Sequence, residues 1–156
     1  MNREVFKHIG IGFLFVLSHV LLFQYLSIFG AIADPVLIYL LWLSMRYERT
    51  QVLLFAAGLG LLQDSLFDLW GLYMFSKTLL IFISYKVISR NSENRLLLWQ
   101  IFFFIWVAAF IHNAFFLSLS SFIQTYTSGV SPILFLVLSS LYTALTGAVL
   151  FVFKGK

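Results

Sequence analysis

An apolar run from Gly58 to Lys77 carries two carboxylates, Asp64 and Asp68, and ends on a lysine. An ionised side chain in hydrocarbon costs on the order of 3 to more than 10 kcal/mol. Nearly every other charge in the chain falls in a short polar connection, where it costs little. Asp64 and Lys77 do not, so they are expected to serve a function or an obligatory buried pairing.

The rest of the composition fixes the class. Of 156 residues 62% are hydrophobic and only 10% are charged, whereas a water-soluble domain carries roughly a quarter charged residues. The expectation is an all-α integral membrane protein, residues 1–156 forming a single polytopic membrane domain. There is no cysteine, which excludes disulfides, thiolate metal sites and cysteine nucleophiles. No cleavable signal peptide is expected, because the first apolar run is long enough to span and lacks a small-x-small cleavage site.

A spanning helix takes about 20 apolar residues. Spans are expected near Lys7–Phe29, Asp34–Met45, Thr50–Phe67, Gly71–Ser89, Arg95–Gln124 and Ser131–Phe153. The second is short, either a half-span or the first part of a helix fused to the third, which would leave five spans. Asp34-Pro35 is a start signal, a capping carboxylate followed by proline at the first helical position. The polar connection Arg46-Tyr-Glu-Arg49 favours six.

Charge placement agrees. With the N-terminus inside, the cytoplasmic side receives Arg3, Lys7, Arg46, Arg49, Lys86, Arg90, Arg95, Lys154 and Lys156, which is every basic residue except Lys77. The outer connections carry only Asp34 and Asp68, and Thr125–Ser131 carries no charge. This is the positive-inside pattern. The net charge of +4 therefore reflects orientation, and no nucleic-acid partner is expected.

Counting helical rise outward from Trp70 brings Asp64 and Lys77 to one depth, about 10 Å from the turn, where a salt bridge can form. That bridge either only holds the hairpin in register or serves a partner. Asp68 lies near the interface, as expected for capping or hydration. His112-Asn113, His19 and Gln24 fall in the outer halves of their spans, His112-Asn113 as interhelical glue. Polar residues thus gather toward the outer leaflet, implying a shallow cavity there or a docking site for another helix. The small residues Gly58 and Gly60, and Ala144 with Gly147, are expected to permit close helix packing.

No metalloprotease, nucleophile-elbow, phosphate-loop or intramembrane aspartyl protease motif is present. The three histidines are scattered, so no metal centre is expected. No cofactor and no enzymatic activity are expected.

The succession Asp34-Pro35-Val-Leu-Ile-Tyr-Leu-Leu, a basic connection, Ala57-Gly-Leu-Gly60-Leu-Leu-Gln-Asp64-Ser and Trp70-Gly71 resembles the MreD rod-shape-determining membrane proteins. Their pattern is a proline-led short helix, Gly-x-x-x-Asp, and a glycine opening the next span. Leu98-Trp99-Gln100 is similar too, while the last third of the chain is generic and a lysine at 77 is not part of the pattern. The resemblance implies a six-helix bundle similar to the substrate-binding subunits of energy-coupling-factor transporters. It also implies a non-enzymatic component of the elongation machinery in the bacterial inner membrane. Its partners would be MreC and, indirectly, MreB, RodA and a class B penicillin-binding protein. The docking face would be the outer ends of spans three to five, with Asp64 and Lys77 holding their hairpin. A transporter substrate-capture subunit is the alternative, although its usual Ala-x-x-x-Ala pair is missing from the first span. A membrane enzyme of lipid-linked precursors is a third class.

Overall fold

Backbone amides in hydrocarbon must be bonded within the protein, which leaves helices as the means for an apolar chain of this kind to cross. The computed structural model describes residues 2–91, 97–123 and 131–154, and these form a helical bundle. Helix α1 (Asn2–Ser18) runs into a π-helical turn (His19–Phe23). Then follow α2 (Pro35–Ser44), α3 (Arg49–Phe67), α4 (Leu72–Asn91), α5 (Leu98–Ile123) and α6 (Pro132–Lys154). Among the described residues five helices, all but α2, are long and apolar enough to cross a membrane. The chain is a multi-pass membrane protein. The expected first span stops at Phe23 instead of Phe29, and the expected ends Arg95 and Gln124 of the fifth lie outside the described residues.

Helix α2 explains the ambiguity of the second span. Ten residues rise about 15 Å, half of a roughly 30 Å hydrocarbon core. The four residues before α2, Ala31 to Asp34, lie outside any helix and are buried at Ala31, Ala33 and Asp34; extended, such a segment adds about 13 Å. Exposed amides there would be costly in lipid. The hydroxyls of α6 supply partners: Ile32 N–H donates to Ser139 Oγ at 3.3 Å and Asp34 N–H to Thr143 Oγ1 at 3.1 Å. Eight of the ten α2 residues are buried, and α2 meets each of the other five helices. It is the central element, led into by a buried segment outside any helix, 31–34.

Around it stand two antiparallel hairpins, α3 with α4 and α5 with α6. Gly147 lets α6 close on α5, since a Cβ there would lie 2.5 Å from Ile105 Cδ1. The core joins Val16, Leu37, Leu40, Val52, Ile81 and Ile105. Outward faces such as Leu54 and Leu61 on α3 and Phe82 and Ile83 on α4 are exposed, as lipid contact requires.

Candidate functional site

The α3–α4 turn contains the first part of the polar site. Helix α3 ends at Asp68, in the left-handed conformation with φ 55°, and its N–H bonds back to the Asp64 carbonyl. Gly71, with φ +84°, precedes α4 and has no side chain with which to cap it. The cap comes from the neighbouring helix: Asp64 accepts from Tyr73 N–H at 2.8 Å and Met74 N–H at 2.9 Å, one bond to each carboxylate oxygen. Gly60 lies one turn before Asp64, and a Cβ on it would fall 2.5 Å from Met74 Cα. The spacing Gly60-x-x-x-Asp64 therefore has a mechanical meaning. The glycine admits the first turn of α4, and the carboxylate one turn on receives its free amides.

Asp64 thus caps α4, and the ion pair of Lys77 is with Asp34 instead. The lysine is wholly buried and its ammonium donates to Asp34 Oδ2. This corrects the expected Asp64–Lys77 bridge and the placing of Asp34 in an outer connection, since Asp34 is only 6% exposed. The cause is the buried segment before α2, which carries Asp34 into the bundle beside α4. Its other oxygen, Oδ1, accepts from Leu37 N–H at 3.0 Å and caps α2, with Pro35 at the first helical position as expected. Lys77 Nζ also lies 4.3 Å from the centre of the Tyr73 ring, a favourable cation–π placement.

Two histidines close the network. Gln63 Nε2 lies 2.8 Å from His19 Nδ1, the nitrogen that also stands 3.5 Å from Asp34 Oδ1. The π-helical turn starts at His19, and its ring packs against Phe67 and Tyr73. His112 Nε2 pairs with Ser76 Oγ at 3.1 Å and its Nδ1 with Asn113 Oδ1 at 3.2 Å. Asn113 Nδ2 then donates to Ser140 Oγ at 3.2 Å. His112 and Asn113 thus join α4, α5 and α6. Gln63 Oε1 has no hydrogen-bond partner among the described residues.

Of the residues singled out by sequence, Asp64, Lys77, His112 and Asn113 are buried and share this region, while Asp68 is exposed and only ends α3. Gly60, Gly71 and Pro35 shape the helix junctions. Gly58 does not pack closely: nothing lies within 4 Å of a Cβ placed on it. Sequence reasoning left out Gln63, Ser76, Ser139, Ser140 and Thr143. For the last three, a cluster of hydroxyls on one stretch of an apolar helix was the available signal.

A second polar group, also not foreseen, lies at the basic end of the bundle. Tyr39 Oη donates to His8 O at 3.1 Å and stands 3.0 Å from His8 Nδ1, while Tyr47 Oη is 2.6 Å from His8 Nε2. Tyr85 Oη donates to Tyr47 O at 2.8 Å. These bonds tie α1, α2 and α4 together where α2 leaves the bundle.

Among the described residues no group of three or more His, Asp or Glu side chains is placed to hold a metal ion. What the central arrangement does chemically is neutralise one buried cation and cap two helices. Comparison with protein-family models, with curated proteins and with solved structures gives no match.

Proposed function

We propose that this chain is a non-enzymatic scaffold subunit of the MreD type in the bacterial cytoplasmic membrane. In this reading it binds MreC, and through it MreB, RodA and a class B penicillin-binding protein, and helps regulate peptidoglycan synthesis and rod cell shape. The observation that carries it is where the residues of the resemblance lie. Asp34-Pro35, Gly60, Asp64 and Gly71 each make a helix junction. The buried carboxylates, amine and imidazoles bond to one another. Polar groups used to hold one arrangement of helices leave the outer surface as the place where partners are met.

A second reading, a substrate-capture subunit similar in fold to those of energy-coupling-factor transporters, is favoured by one feature. Helix α2 is only half a span long and starts beside a buried ion pair, and transporters build midplane sites from such broken spans.

The test is gentle solubilisation of native membranes through a C-terminal affinity tag. Co-purification at fixed stoichiometry of a single-span protein with a large extracytoplasmic region supports the scaffold. Recovery of two ATPase subunits with a membrane coupling protein transfers the assignment to the transporter reading. Recovery of neither, from cells shown to make MreC, overturns the first.

A further inference from the structure

We propose that the tight turn Ile28–Ala31 is an interfacial anchor, seated in the lipid headgroup region of the leaflet opposite the basic connections. Ile28 and Ala31 exchange both backbone bonds, at 3.1 and 2.9 Å, around a two-residue tip, Phe29-Gly30. Both tip residues have positive φ, 52° and 79°. Asn or Gly suits the first tip position of such a turn, whereas a bulky aromatic is out of place there. Phe29 is nonetheless there, and its side chain is held away from the protein, 82% exposed.

Its surroundings fit a lipid interface and not water. No Asp, Glu, Lys or Arg lies between Lys7 and Asp34. Tyr25 is 85% exposed, and Leu26 and Ile28 are exposed as well. Trp70, 84% exposed, stands on the α3–α4 turn at the same end of the bundle, because His19 at the end of α1 meets Phe67 and Tyr73 on either side of that turn. Counted from Lys7, Phe23 is about 24 Å deep, so a roughly 30 Å core ends close to Phe29. Tyr and Trp with an apolar body and a polar tip concentrate at this level of a bilayer.

The placement gives the turn a task. Directly after Ala31 the chain dives to Asp34, where the carboxylate must meet Lys77. A ring lodged in the interface fixes the upper end of that descent, while Tyr142 Oη, donating to Leu26 O at 3.2 Å, holds its near flank to α6.

The chain has no cysteine, so Ile28→Cys, exposed beside an intact Phe29, provides a single site for a nitroxide label. The labelled protein is placed in phosphatidylethanolamine–phosphatidylglycerol vesicles, and collisions with dissolved oxygen and with a water-soluble nickel chelate are compared. Leu61→Cys on the exposed face of α3 and Glu48→Cys in the polar connection are the lipid and water references. The expected ratio at 28 lies between theirs. A ratio equal to that at 48 puts the turn in water, and protection from both reagents means that protein covers it; either overturns the anchor. Phe29→Asn keeps the turn and removes the ring, so a label at Ile28→Cys should then shift toward the chelate. No shift would show that the ring anchors nothing.

Discussion

The ammonium of Lys77 is held by the carboxylate of Asp34, 43 residues earlier in the chain and at the first turn of a helix that spans half the bundle. Both side chains are at least nine-tenths buried, so neither can find water if the other is removed. Breaking a buried pair by removing one partner costs about 3–5 kcal/mol, whereas replacing both can be nearly neutral. Asp34→Asn and Lys77→Met should therefore each destabilise strongly, and the double variant by much less than the sum. Denaturant unfolding in micelles measures this. Additive effects would mean that the pair is not coupled.

Asp64 acts on α4 through two backbone amides. Removing a helix cap costs about 0.5–2 kcal/mol, so Asp64→Ala should destabilise within that range. It should also speed hydrogen exchange at Tyr73 and Met74 before other α4 amides. Asp64→Asn keeps one accepting oxygen and should lie between. Unchanged exchange at both positions in Asp64→Ala would remove the capping role.

The two glycines of the same motif should respond oppositely. At Gly60 a methyl group meets Met74 backbone at 2.5 Å and 2.8 Å, and backbone cannot turn aside as a side chain can. Overpacking of this sort costs about 1–3 kcal/mol, and here it also pushes the α4 amides away from Asp64. At Gly58 the methyl group enters open space, and alanine is the better helix former by about 0.8–1.0 kcal/mol. Gly60→Ala should lower the unfolding midpoint and Gly58→Ala should hold or raise it. The reverse order would contradict the α3–α4 packing.

These contrasts show which parts of the molecule could be read from the chain. Helix positions followed from apolar runs broken by charge, and Asp34-Pro35 marked a junction correctly because that cap is local, whereas the cap of α4 past Gly71 comes from Asp64 on α3. The partner of Lys77 did not follow. The depth count compared neighbours along one hairpin, and the true partner arrives through a half-helix and an extended segment whose burial depends on hydroxyls of α6. Gly58 and Gly60 look alike in sequence and differ only in which side of α3 meets α4. The His8 group was missed because its partners, Tyr39 and Tyr47, are aromatic residues in a chain that is 19% aromatic and carry no distinguishing pattern.

That group makes a prediction about a proton. Tyr39 has one hydroxyl hydrogen, and it is directed to His8 O at 3.1 Å. The 3.0 Å contact with His8 Nδ1 is then a bond only if Nδ1 carries the hydrogen and Tyr39 Oη accepts. A neutral imidazole has one such hydrogen, so Nε2 is the acceptor and Tyr47 Oη donates to it at 2.6 Å. Nitrogen-15 shifts of selectively labelled histidine should identify the neutral His8 ring as the Nδ1–H tautomer. Tyr47→Phe leaves Nε2 without its donor and should destabilise by about 1–3 kcal/mol, the penalty of an unsatisfied buried group, with the Nδ1–H signal retained. An Nε2–H signal in the native chain would require Tyr39 to give its hydrogen to the ring and release the His8 carbonyl, a different clamp from the one described.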